Sequence, residues 1–299
     1  MNTEKKYLPA SIHQRLLNKA RQSGRAFNEL LQYYAIERLL YRLSISEYSE
    51  LFTLKGALIF NVWGLTNLRP TRDIDLLGHT QNTIDSVVKI FQDLSKLEVE
   101  PDGIEFDPLH IHGERIKEDA EYEGIRITMA ARLGNTRLAI QIDIGFADVV
   151  TPAPERLDYP TILDFPAPHL YGYPPETVIA EKFQAMTVLG MANSRMKDFY
   201  DVWTLITHFE FEGRVIQTAI ERTFQNRSTE LPTEEHIVFS DEFAENKGDQ
   251  WNAFSRKLQD EDAVMIDQII ATMRDFLFPI LDASQQGTVF KKKWKNKWR

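Results

Sequence analysis

Apolar residues recur at three- and four-residue spacing over positions 11–43, at Leu16, Leu17, Ala20, Phe27, Leu30, Leu31, Tyr34, Leu39 and Leu40. That period predicts helix. Ser23-Gly24 predicts a break into two helices. Arg15, Lys19, Arg21 and Arg25 on the first half read as a solvated face rather than an RNA groove. From Leu51 to Trp63 the chain reads as strand, glycine turn and short helix, followed by a connector over 67–72. Asp73 to Leu77 then alternates as a strand, with Ile74 and Leu76 on one face and Asp73 and Asp75 on the other.

Thr83 to Leu97 fits an amphipathic helix, with Ile84, Val87, Val88, Phe91 and Leu94 on one side. Residues 101–122 show no clear period. Two alternating runs follow, Ile125 to Ala131 and Arg137 to Ile144, joined near Gly134-Asn135, which predicts a hairpin. In the second run Leu138, Ile140, Ile142 and Ile144 share one face, and Gln141 and Asp143 the other. A third carboxylate therefore stands on a strand that can lie beside Asp73 and Asp75.

The proline-rich stretch 151–175 reads as a linker or wrapping segment. Helical patterns return at 176–189, 194–209, 215–224 and 263–281, and the polar stretch 225–250 reads as loop. No internal repeat is evident. The fold class expected is α+β: a lobe over residues 1–165 with a mixed sheet, flanking helices and N-terminal helices, then a mainly helical lobe over 166–299.

Composition narrows the function classes. Of 299 residues, 43% are hydrophobic and 26% charged, the balance of a soluble globular chain. No uninterrupted apolar run reaches the length of a membrane span, and no apolar core follows Met1-Asn2-Thr3-Glu4-Lys5-Lys6, so neither membrane insertion nor a secretory signal is expected. The chain has no cysteine, which excludes disulfides and thiolate zinc sites and fits a cytoplasmic location. A net charge of −9 argues against a general nucleic-acid coat. The last nine residues run the other way, with six cations and two tryptophans, Trp294 and Trp298. They suit stacking on an RNA strand, or else form a solvated tail; both readings stand at this point.

The chemistry centres on Asp73-Ile74-Asp75. Two carboxylates side by side repel unless a cation or strong donors hold them, and paired hard oxygens suit Mg2+. Upstream, the turn at Lys55-Gly56-Ala57 offers backbone N–H groups to a phosphate. Together they point to nucleotide phosphoryl chemistry. A P-loop is excluded, because no Gly-x-x-x-x-Gly-Lys-[Ser/Thr] occurs. A zinc hydrolase is disfavoured: the histidines include His110 and His112, read as a polar loop pair, but no His-Glu-x-x-His.

A glycine turn, then Asp-x-Asp, then a lone Asp on a later strand resembles the layout of DNA polymerase beta-like nucleotidyltransferases. Within that superfamily the chain looks like the AbiEii/AbiGii group, the toxins of abortive-infection toxin–antitoxin systems. Six ordered blocks carry the resemblance. They are Glu37 to Ser44, Phe52 to Leu58, Arg69 to Leu76, Ile142 to Asp148, Pro174 to Lys182, and Arg195 to Val202.

The resemblance implies nucleotide transfer from an NTP, with RNA, most plausibly the tRNA 3′ end, as acceptor. It also implies a cognate antitoxin encoded nearby and a role in antiviral defence. It implies Asp73, Asp75 and Asp143 as catalytic ligands of a two-metal Mg2+ site. Nucleotide contacts are expected from Lys55, Gly56, Ala57, Arg69 and Thr71. Lys182 is expected to place a charge on the β- or γ-phosphate, and Asp198 to hold Lys182 or touch the nucleotide. Asp201 is expected to be structural, paired within its helix to Lys197. Asp148 is a rival of Asp143 for the third acid, read as a turn residue. Relatives usually carry Gly-Gly or Gly-Ser where this chain has Gly56-Ala57, so no hydroxyl is available there. Two alternatives remain: transfer onto a protein hydroxyl, and a catalytically silent NTP- or RNA-binding partner.

Overall fold

The computed structural model describes residues 3–65, 71–119, 122–233, 236–258 and 264–299. The chain divides into two compact units. One comprises Met1–Ala147 with Glu155–Gly172, the other Asp148–Pro154 with Tyr173–Arg299.

In the first unit the period of 11–43 resolves into α1 (Thr3–Ser23) and α2 (Phe27–Ser44), broken where Gly24 takes a positive φ of 71°. Then come β1 (Phe52–Lys55), a single 3-10 turn at Gly56–Leu58, α3 (Ile59–Val62), β2 (Asp73–Gly78) and α4 (Ile84–Lys96). The strands β3 (Ile104–Asp119), β4 (Tyr122–Leu133), β5 (Thr136–Gly145), β6 (Glu155–Asp158) and β7 (His169–Gly172) complete it. The sheet order is β3-β4-β5-β2-β1-β7-β6. It is mixed: β2 runs parallel to β5 and β1 parallel to β7, while the remaining neighbours are antiparallel.

The alternation in the sequence sets the two faces of this sheet. Leu54, Ile74, Leu76, Ile127, Ile142 and Ile144 are all buried on one side. There α4 lies against β3 so closely that a side chain on Gly113 would strike Ile84 and Val88. Helix α2 is buried almost all round and holds an internal ion pair. Arg42 reaches both oxygens of Asp102 at 2.6 and 3.2 Å, and Tyr34 Oη donates to the Asp102 carbonyl at 2.8 Å. Beside it Glu37 accepts from Ile162 N at 2.7 Å; burial, countered in part by the Arg38 guanidinium, raises its carboxyl to about 7.

Two elements of this unit depart from the expectation. The stretch 101–122, without a period, contains β3. Its register slips between Phe106 and Ile111, so the apolar positions change parity and cancel the alternation. The proline-rich linker contains β6 and β7, four residues each, set between prolines that end rather than interrupt them.

The second unit contains α5 (Pro175–Leu189), α6 (Met196–His208), β8 (Phe211–Glu212), α7 (Gly213–Asn226), α8 (Asp241–Ser255), α9 (Ile266–Gln285) and β9 (Lys293–Trp294). Phe183 and Phe224 join α5 to α7 at 5.2 Å between ring centroids. The stretch read as loop over 225–250 contains the first part of α8. Only Phe243, Lys247, Trp251 and Ser255, four residues apart, are buried, too thin a stripe to show a helical period. Ser240 caps it, its side chain accepting from Phe243 N at 3.0 Å.

The basic C-terminus follows neither of the two readings offered for it. Trp294 is buried, donates Nε1–H to the Ile206 carbonyl at 2.8 Å, and lies edge-on to Phe276. Trp298 donates to the Phe276 carbonyl at 2.9 Å and stacks on the same ring. Lys293 and Lys295 pair with Glu212 and Glu210. Trp294 is core, Trp298 is half-buried against the same ring, and the pairing of β8 with β9 fastens the segment. Among the described residues no helix is long and apolar enough to cross a membrane.

Candidate active site

The polar face of the first unit's sheet carries a row of charged side chains. In register, Lys55 stands beside Asp75, Asp75 beside Asp143, Asp143 beside Arg126, and Arg126 beside Glu114. Register partners project to the same face. One step along, Asp73 stands beside Gln141. The three acids are thus brought together as the alternation predicts, half-buried on adjacent parallel strands.

Gly56 explains the turn. Its φ is 69°, and a Cβ there would lie 1.9 Å from Asp75 Oδ2. The glycine is needed for the left-handed conformation and for the acid that sits over it. Replacing Gly56 with alanine is expected to push Asp75 from its place and cost about 1–3 kcal/mol of stability. Urea unfolding of the purified variant measures this, and an unchanged midpoint would refute it. Lys55 is buried at the same turn, and Ala57 is half-buried behind it. Thr71 N donates to Tyr33 Oη at 3.0 Å, which fastens the entry to β2 onto α2. Arg69 lies outside the described residues.

Arg126 was not singled out from the sequence, yet it meets both oxygens of one of the three acids. Its Nε and Nη2 donate to the two oxygens of Asp143, both at 2.8 Å. The Asp143 carboxylate raises the guanidinium above its ordinary range, partly offset by desolvation. The Gln141 amide, with its oxygen turned to Arg126, accepts from Nε and Nη2 at 3.2 Å. The signal was available: a two-residue turn at Gly134-Asn135 pairs Leu133 with Thr136, and counting back along both strands pairs 126 with 143.

Asp73 and Asp75 fit one hard divalent cation, since their oxygens share a half-buried face and Gly56 presents no side chain against them. A three-acid cage does not fit. Among the described residues no three His, Asp or Glu side chains stand where they would hold one ion together, and Arg126 already grips both oxygens of Asp143. Of the two metal positions that the resemblance implies, the one at Asp143 is where Arg126 stands.

A cavity of about 270 Å³ in the same unit is lined by Lys19, Arg25, Tyr33, Asn61 and Tyr159 among others, and none of the three acids lines it.

In the second unit Lys182 lies between two carboxylates, 2.6 Å from Asp198 Oδ1 and 2.9 Å from Asp201 Oδ2. Both acids are buried. Asp198 holds Lys182, one of the two contacts expected of it. Asp201, expected to pair with exposed Lys197 along its helix, also reaches Lys182. Asp148, the rival third acid, belongs to this unit and pairs with Arg227 at 2.8 Å.

Residues 38–274 match a family described as nucleotidyl transferase AbiEii toxin, type IV TA system. Among solved structures, JHP933 from Helicobacter pylori is similar with a TM-score of 0.52 and 13% identity, covering 88% of this chain and 97% of that one. That likeness is one of fold. A protein provisionally described as a nucleotidyltransferase from H. pylori is more distant, with a TM-score of 0.39 and 11% identity over 88% of this chain and 96% of that one. No curated protein matches.

Proposed function

The chain belongs to the AbiEii nucleotidyltransferase toxin family of type IV toxin–antitoxin systems, and on that premise we propose that it transfers a nucleotide from an NTP to RNA, with the tRNA 3′ end as acceptor and Mg2+ as the cation. The observation that supports this most is the register: Asp75 and Asp143 are direct neighbours, with Asp73 on the same face. The cation would supply Lewis-acid stabilisation of the triphosphate and of the departing pyrophosphate.

The residues do the rest. Asp73 and Asp75 present oxygens to that cation. Gly56 leaves the room that the Asp75 carboxylate takes over the turn, and Lys55 adds positive charge at the same turn. Asp143, fixed by Arg126, orients the acceptor hydroxyl. That hydroxyl oxygen gives its proton to solvent and bonds to the α-phosphorus as the bond from the α-phosphorus to the bridging oxygen of the β-phosphate breaks, and pyrophosphate leaves. Thr71, Arg69 and Ala57 are assigned to the nucleotide's surroundings. Lys182 is assigned a phosphate contact, with Asp198 as the residue that positions it.

Family membership implies a cognate antitoxin. A tRNA acceptor places the activity in the cytoplasm, where interruption of translation is a means of antiviral defence by abortive infection.

The test uses purified protein, total tRNA and each of the four α-labelled NTPs, with and without Mg2+. The reading predicts label in tRNA from at least one NTP, only with the metal. Label in protein instead of RNA would favour the alternative acceptor, and no transfer to either would favour an occupancy-only partner.

A further inference from the structure

We propose that Arg126 takes the place of a second cation beside Asp143, so that the site holds a single divalent ion at Asp73 and Asp75. The inference rests on the nucleotidyl-transfer reading and specifies how its charge is arranged.

Three observations carry it. First, the Arg126 fork meets Asp143 with two parallel bonds of 2.8 Å, the bidentate geometry that satisfies both carboxylate oxygens. A metal ion at Asp143 would have to share those oxygens with the guanidinium or displace it. The guanidinium keeps its charge at any working pH, so it cannot give way by losing a proton. Second, Arg126 is placed by the sheet itself. It is the register partner of Asp143 on β4 and half-buried, with its side chain 33% exposed and that of Asp143 16% exposed. Gln141 lies against the same fork.

Third, cationic side chains already stand on both sides of the acids in the row. Lys55 and Arg126 flank Asp73, Asp75 and Asp143, with Glu114 beyond Arg126 at the exposed end. A metal ion at Asp143 would add two further positive charges directly beside a guanidinium. The absence, among the described residues, of three metal-competent side chains around one point agrees.

Arg126 is on this account a positioning residue. It holds Asp143 toward the acceptor rather than touching the reacting atoms.

The test counts ions instead of turnover. Mn2+ bound per polypeptide is measured by equilibrium dialysis, with free Mn2+ read by electron paramagnetic resonance and a saturating NTP analogue that cannot be cleaved between the α- and β-phosphates. The wild-type protein is expected to hold one ion at the site. Arg126→Gln frees Asp143 and is expected to hold two. Arg126→Lys keeps the charge and stays at one. Arg126→Gln combined with Asp143→Asn returns to one, which separates release of Asp143 from general loosening of the fold. Two ions in the wild-type protein would overturn the inference and leave nucleotidyl transfer intact. One ion in Arg126→Gln would overturn it as well. No ion and no bound analogue in the wild-type protein would instead defeat the nucleotidyl-transfer reading, and this inference with it.

Discussion

Asp75→Asn is expected to lower nucleotidyl transfer about a thousandfold while leaving the protein folded. The substitution keeps the shape of the side chain and so respects the tight contact over Gly56. It removes the negative charge that faces the cation. Charge stabilisation by a bound metal is worth several kcal/mol, and about 4 kcal/mol corresponds to three powers of ten in rate. Asp73→Asn removes the other ligand from the same face and is expected to act alike. The measurement is initial rate of label incorporation at saturating NTP, alongside a melting curve. A variant that melts like the wild-type protein and transfers within tenfold of it would show that Asp75 is not a ligand.

Lys182→Met is the second large effect, and it falls first on stability. The ammonium sits between the buried carboxylates of Asp198 and Asp201. Removing one partner of a buried ion pair costs about 3–5 kcal/mol, because the remaining charge has lost its compensation. Here two acids share the loss. Urea unfolding should show an earlier transition, and Lys182→Met with Asp198→Asn and Asp201→Asn should recover part of it. An unfolding curve that superposes on that of the wild-type protein would refute this account of the cluster. Because Lys182 supports the fold of its own unit, activity lost on its removal says little by itself. Asp198→Asn, which keeps the ammonium and one acid, is the better probe of a positioning role.

Much of the fold was legible where one period dominated. The strand Asp73–Gly78 and the hairpin over 122–145 alternate cleanly, because each has one buried and one polar face. Helices α5, α6, α7 and α9 carried wide apolar stripes. What stayed hidden had a physical cause in each case. A bulge reversed the parity of β3. Prolines masked β6 and β7, which are too short to show a pattern between them. Helix α8 buries one residue per turn. The C-terminal tryptophans read equally well as base-stacking groups because composition does not tell a solvent-facing ring from one packed on Phe276.

The candidate site divides in the same way. The three acids were readable from alternation, and their meeting follows from strand pairing. Arg126 was readable only by carrying the hairpin register inward from Gly134-Asn135, seven positions from the turn. The reason for Gly56 required the position of Asp75 in space. The double contact of Lys182 depended on α5 and α6 packing together, which spacing along either helix does not reveal.

The most direct measurement is growth arrest on induction of the chain without its antitoxin, for the wild-type protein and for an Asp73→Asn, Asp75→Asn double variant at equal folded level. Catalysis by the acid pair predicts arrest by the first and none by the second. Equal arrest by both would contradict it and leave the chain acting by occupancy alone.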